Sequence, residues 1–124
     1  MNVVDSSGWI EYFFGRPNEG FFAAAIEDTS KLLVPTICLT EVIRYITRAA
    51  SRDAAQEAAA QMQRASVVSW DEDLAHLAAR LSLKHKLPLA DSIVYATSQA
   101  HKATLFTQDE DFVKLAGVRY IRKK

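Results

Sequence analysis

Four acidic residues could act together in this chain: Asp5, Glu41, Asp91 and Asp109. Asp5 ends the apolar run MNVVD, Asp109 follows the run ATLFT in TQDEDF, and Glu41 lies on a helical pattern that follows KLLVP. Asp91 stands in LPLADSIVYA, where a greasy helix would begin to bury itself. Glu41 shares a helical face with Ile37, Cys38 and Tyr45, and Asp91 shares one with Val94 and Tyr95, so both carboxylates are expected to point toward an apolar layer. Carboxylates gathered at one place repel one another and lose hydration, which a fold tolerates where a cation neutralises them. An all-oxygen set favours a hard ion, Mg²⁺ or Mn²⁺. Taken singly, each acid has a simpler use. Asp5 before SSGW, Asp91 before SIVYA and Asp109 before EDF each fit a helix N-cap, and Glu41 could snorkel outward from the edge of its face.

The elements that must position these acids alternate along the chain. Short runs rich in Val, Leu, Ile and aromatics (MNVVD, KLLVP, SVVSW, ATLFT and GVRYI) read as strands. Helical patterns lie between them: SSGWIEYFFG and EGFFAAAIEDT, then residues 36–49, 53–65, 71–84, 90–101 and 110–116. Strand alternating with helix, with strands apolar on both sides, predicts an α/β fold: a short, mostly parallel sheet of about five strands covered by helices on both faces. In such sheets ligands bind at the carboxyl ends of the strands. Asp5 and Asp109 fall at that edge by position alone, and Glu41 lies on the helix that leaves it.

Composition narrows the classes. A chain of 124 residues, 49% hydrophobic and 24% charged, fits one domain spanning 1–124 with its own core. With 4 Gly and 3 Pro there is little room for linkers. The single cysteine, Cys38, sits between Ile37 and Leu39 and reads as a buried reduced thiol, which suits a cytoplasmic protein. No apolar run approaches the roughly 20 residues a membrane span needs, and the start MNVVDSS lacks the pattern of a signal peptide, so no membrane association is expected. Lys plus Arg and Asp plus Glu both number 15, so no global basic field advertises a nucleic acid. Any such contact must be local: Arg44, Arg48 and Arg52, or Lys84, His85 and Lys86, or the tail Arg119, Arg122, Lys123 and Lys124, each of which also serves as ordinary solvated charge. His76 and His101 read as helix-surface residues, and His85 as one within reach of a substrate.

Four blocks, VVDSSGWIEYF, VPTICLTEVIR, LPLADSIVYATSQAHKATLFTQDEDF and LAGVRYI, occur in an order and at separations that resemble the PIN-domain endoribonucleases, specifically the VapC-type toxins of toxin–antitoxin pairs. The resemblance covers essentially the whole chain. It implies a single PIN-like nuclease domain whose functional acids, as catalytic residues and metal ligands, are Asp5, Glu41, Asp91 and Asp109. Asp111 falls on a position of varying role and is held as auxiliary or structural; Thr107 and Ser6 match supporting hydroxyls, with a turn or cap role an equal competitor. The implied activity is Mg²⁺- or Mn²⁺-dependent hydrolysis of RNA phosphodiesters by water attack, leaving 5′-phosphate and 3′-hydroxyl ends. Such chemistry requires no histidine acid–base pair, and the three histidines have no recognisable spacing.

Other phosphotransfer folds fit less well. Haloacid-dehalogenase-like phosphatases want Asp-x-Asp, but Ser7 stands two residues past Asp5; receiver domains want an acidic neighbour that Asp5 lacks. No GxxxxGK[ST] or GxGxxG occurs. The alternative from another class is a catalytically inactive PIN-like interaction domain whose acids are caps and which binds an antitoxin-like partner. Trp9, Tyr12, Phe13 and Phe14, with Phe21 and Phe22 close behind, are mostly core by expectation, yet a short helix this bulky could leave an apolar patch for another chain. By resemblance that chain is a small antitoxin that blocks the acidic pocket, and the protein itself forms a homodimer or a hetero-oligomer with it.

Overall fold

The computed structural model describes residues 1–124. Five strands, β1 (Asn2–Val4), β2 (Leu32–Pro35), β3 (Ser66–Val68), β4 (Thr104–Thr107) and β5 (Val118–Tyr120), alternate with six α-helices. These are α1 (Ser6–Phe13), α2 (Glu19–Ile26), α3 (Thr36–Ala49), α4 (Arg52–Met62), α5 (Glu72–His85) and α6 (Leu89–Ala100). The strands form one sheet in the order β3-β2-β1-β4-β5. Every pairing is parallel, so the sheet expected to be mostly parallel is entirely so. The fold is α/β.

Burial explains the strand composition. Val3, Val4, Leu32, Leu33, Val34, Leu105 and Phe106 are all buried, as strands covered on both faces require, whereas the edge strands β3 and β5 expose Val67 and Arg119. The chain runs from β1 through β2 to β3, then back past β1 to β4. Helices α1 to α4 pack as one group and α5 on α6 as another, and the reversal of strand order opens a crevice between β1 and β4 at their carboxyl ends. The main core runs from Trp9 and Phe22 through the strands to Val94, Tyr95 and Phe112, and a smaller cluster of Leu74, Ala78, Ile93 and Ala96 locks α5 to α6.

Local chemistry sets the helix starts. Asp5 Oδ1 accepts from Gly8 N at 2.9 Å, Ser51 Oγ from Ala54 N at 3.0 Å, and Asp71 Oδ1 from Leu74 N at 2.9 Å, each capping the helix that follows. Pro35 and Pro88 open α3 and α6 with no side-chain cap bond. The helix expected over 110–116 shrinks to a 3₁₀ turn, Glu110–Phe112, because Phe112 must bury itself at once and β5 must begin at Val118 beside Leu105. Gly117, with φ +77°, makes the left-handed bend between them.

Candidate active site

Strand register brings the site together. Val4 lies opposite Phe106, which sets Asp5 level with Thr107 at the open end of the sheet. Asp5, Ser6, Glu41, Asp91 and Asp109 line one open cavity of about 800 Å³. Parts of the chain far apart in sequence thus meet in one place: the residue that follows β1, the start of α1, α3, the first turn of α6, and the second residue past β4.

Asp5 is buried and tightly held. Its Oδ1 accepts from Gly8 N at 2.9 Å and from Ser7 Oγ at 3.1 Å, and its Oδ2 accepts from Thr107 Oγ1 at 2.6 Å. Burial lifts its pKa from the usual 3.8 to about 6, against the lowering effect of those three donors. Asp5 is therefore a cap and a cavity carboxylate at once, so the two uses the sequence left open are compatible. Glu41 is half-buried and takes a 2.6 Å hydrogen bond from Ser6 Oγ. Its neighbour on the same helical face, Tyr45, is exposed at the cavity mouth instead of joining an apolar layer, and its hydroxyl accepts from Arg16 Nη2 at 2.8 Å.

Asp91 departs from the cap expectation. It is the third residue of α6, whose N-cap is Pro88, so its carboxylate caps nothing. Burial first, then the charges of Asp109, Asp111, Asp5 and Glu41, lift its pKa to about 7, and no donor opposes the rise. Asp109 caps the 3₁₀ turn by accepting from Asp111 N at 2.9 Å, while its own N–H donates to Thr107 Oγ1 at 2.9 Å. Thr107 thus links Asp5 to Asp109. Asp111, expected to be auxiliary or structural, offers a carboxylate oxygen that lies, with one each from Asp91 and Asp109, within 4.8 Å of the others. Three carboxylates crowded this closely, Asp91 and Asp109 half-buried and Asp111 exposed, offer the oxygen donors that a small divalent cation takes.

Other residues at or near the cavity had a less definite place in the sequence reading. Arg44 and Arg48, read as one of several basic patches, line the same cavity one helical turn apart, a proximity that their spacing from Glu41 on α3 could have revealed. Glu11, Asn18 and Gln108 form a buried polar group beside the site, and its one signal was an acid inside the apolar run WIEYFF. His85 packs edge-on against Tyr95, with ring centroids 5.9 Å apart, and does not line the cavity. Cys38 is fully buried beneath the acids, with Sγ 3.9 Å from the Val4 carbonyl oxygen, and burial pushes its thiol up, so it is no nucleophile. No helix is long and apolar enough to cross a membrane.

The PIN domain family model matches residues 3–118. Solved structures similar in fold include a toxin–antitoxin complex from Klebsiella pneumoniae, at 23% identity and a TM-score of 0.81, covering 96% of each chain. Another is VapC20 of Mycobacterium tuberculosis, a sarcin–ricin loop cleaving toxin, at 20% identity and a TM-score of 0.81, covering 99% of this chain and 100% of that one. DNA-bound VapBC from Salmonella typhimurium gives 17% identity and a TM-score of 0.76, covering 98% of this chain and 96% of that one. No curated protein matches by sequence.

Proposed function

Since the chain belongs to the PIN-domain family, we propose that it is a metal-dependent endoribonuclease, the toxin of a toxin–antitoxin pair. The observation that carries this reading is the convergence of Asp5, Glu41, Asp91 and Asp109 on one cavity at the switch point between β1 and β4. Structures similar in fold include toxin–antitoxin complexes and a sarcin–ricin loop cleaving toxin, which supports RNA as substrate and a small antitoxin as partner. Exposed Phe14 and half-buried Phe13, beside Ile46, Ala54 and Ala58, line a second, apolar groove of about 210 Å³ suited to such a partner.

Asp91, Asp109 and Asp111 would hold the ion, with Asp5 and Glu41 completing the acidic wall. A bound Mg²⁺ or Mn²⁺ supplies an activated water and offsets the charge that grows on the nonbridging and leaving oxygens of the phosphodiester. The chain's own groups do the orienting. Thr107, Ser7 and the Gly8 amide hold Asp5 in one rotamer, and Ser6 does the same for Glu41. Arg44 and Arg48, on the same wall of the cavity, can take phosphates flanking the scissile one. Attack by water and not by the 2′-hydroxyl leaves a 5′-phosphate and a 3′-hydroxyl.

Three measurements on purified protein test this. Cleavage of an RNA substrate should stop in EDTA, return with Mg²⁺ or Mn²⁺ and leave 5′-phosphate ends. Replacing Asp5, Glu41, Asp91 or Asp109 by the matching amide should lower the rate at least about 10²-fold, since each change removes charge or positioning at the transition state. Cyclic 2′,3′-phosphate ends would overturn water attack, and an RNA left intact with either ion would leave the inactive interaction domain as the better reading.

A further inference from the structure

Beside the acidic cavity lies a second polar cluster that the proposed chemistry does not use. Glu11 on α1 is 2% exposed, Asn18 on the α1–α2 connection 2%, and Gln108 after β4 4%. Each hydrogen bond between them has a defined direction. Glu11 Oε2 accepts from Asn18 N at 2.9 Å, and Glu11 Oε1 accepts from Gln108 Nε2 at 3.2 Å. Asn18 Nδ2 donates both to Gln108 Oε1 at 2.9 Å and to the Arg122 carbonyl at 3.1 Å. A carboxylate buried on two neutral donors is expensive, and an apolar pair would fill the same space at less cost.

The placement of Gln108 gives the cluster a purpose. Gln108 lies between Thr107, which donates to Asp5 Oδ2, and Asp109, whose N–H donates back to Thr107 Oγ1. The Thr107 carbonyl is in turn tied to Ile121 N at 3.0 Å. On the side facing α1, the turn that carries both functional side chains is anchored by the Gln108 carboxamide and its partners, Glu11 and Asn18. We infer that Glu11 is a positioning residue for the acidic site, acting through Gln108 to fix the Thr107–Asp109 turn; as a statement about catalysis this rests on the nuclease reading.

The directions of the bonds supply a test that a merely stabilising role would fail. In Glu11→Gln one of two donors, Asn18 N or Gln108 Nε2, loses its acceptor, and in Gln108→Glu two carboxylates face each other. The double exchange Glu11→Gln with Gln108→Glu reverses only the bond between the two positions: the amide at 11 still accepts from Asn18 N, and the acid at 108 accepts from it and from Asn18 Nδ2. Three readouts on the full chain apply: amide exchange of Asp109, Mn²⁺ affinity by calorimetry, and kcat and KM on one RNA. Each single variant should speed Asp109 exchange at least about 10-fold beyond its effect on global stability, weaken Mn²⁺ several-fold, and lower kcat about 10-fold with KM nearly unchanged. The double exchange should bring all three back to within about 3-fold of wild type. If Glu11→Gln does not fold, Gln108→Met, which cuts the same anchor without adding charge, takes its place. Single variants with wild-type exchange at Asp109, or a double exchange no better than the worse single, would overturn the assignment while leaving nuclease activity untouched as a conclusion. A wild type that cleaves nothing would sink the nuclease reading, and Asp109 exchange would still decide whether Glu11 anchors the turn.

Discussion

At the scale of single residues, the site stores electrostatic tension that pH should reveal. Asp5 and Asp91 have pKa values raised to about 6 and about 7, first by burial and then by their acidic neighbours. An acid whose folded pKa lies above its unfolded one makes the native state bind more protons, so its stability contribution is complete below the unfolded value and is lost as pH rises through the folded one. In EDTA the melting temperature should therefore fall between about pH 4 and pH 8, and for the fully buried Asp5 alone the loss is on the order of 3 kcal/mol. Asp91→Asn should flatten the upper part of that fall and melt at or above wild type at pH 7.5, because Asp91 caps no helix and its removal sacrifices no backbone hydrogen bond. Added Mg²⁺ should reverse the order, since it stabilises the wild type by RT ln(1 + [Mg²⁺]/Kd) and the variant by much less. Thermal melts in EDTA and in millimolar Mg²⁺, at fixed ionic strength, decide the matter. An Asp91→Asn protein that melts lower in EDTA and keeps the full Mg²⁺ shift would remove Asp91 from the cation site.

At the scale of elements, the site depends on how closely α1 can approach the sheet. Gly8 makes this possible: a Cβ there would lie 2.6 Å from the Phe22 ring and 2.7 Å from Val4 Cγ1, too close for either buried neighbour to yield. The same residue donates the N–H that Asp5 caps, so pushing α1 outward moves a carboxylate of the acidic cavity as well. Gly8→Ala should destabilise the protein by about 1–3 kcal/mol in urea titrations despite alanine's better helix propensity, and should lower activity further than the unfolded fraction explains. A neutral or stabilised variant would mean that α1 and Phe22 have slack. None of this closeness was legible in SSGWIEYFFG, which reads only as a helical pattern. The five strands were legible, because buried parallel strands are continuous apolar runs, and three of the six helices start where Asp5, Ser51 and Asp71 cap in the usual local way. What failed was local reasoning about distant partners. Asp91 reads as a cap within LADS, yet Pro88 starts the helix, and the turn after Asp109 reads as a helix until Phe112 is seen to be needed in the core. The network of Glu11, Asn18 and Gln108 joins positions up to 97 residues apart, a distance no periodicity spans.

Over the whole molecule, the arrangement of charge bears on how RNA would be held. The formal net charge is zero, so attraction to a polyanion cannot come from a global field and must come from cations near the cleavage point. Arg44 and Arg48 are the two basic side chains that line the acidic cavity, and they lie one turn apart on α3, the helix that also carries Glu41. Arg16, which could have added a third charge at the mouth, is occupied: its guanidinium lies 5.0 Å from the Phe14 ring centroid and donates to the Tyr45 hydroxyl. Arg119 likewise lies over the Phe106 ring, with its guanidinium carbon 5.1 Å from the centroid. Few phosphate contacts imply a shallow dependence of affinity on salt, with a slope near −0.7 per contact for a single strand. Binding of a single-stranded RNA to the protein in EDTA, followed by anisotropy from about 50 to 200 mM salt, should therefore give a slope of only about −1.5 to −3. Replacing Arg44 and Arg48 together by Ala should reduce that slope by about 1.4, the equivalent of two released counterions, and should weaken binding across all sequences alike. An unchanged slope in the double variant would mean that RNA does not run along α3, and would shift the search for its path to the cations at Lys84 and Lys86 or to the C-terminal tail.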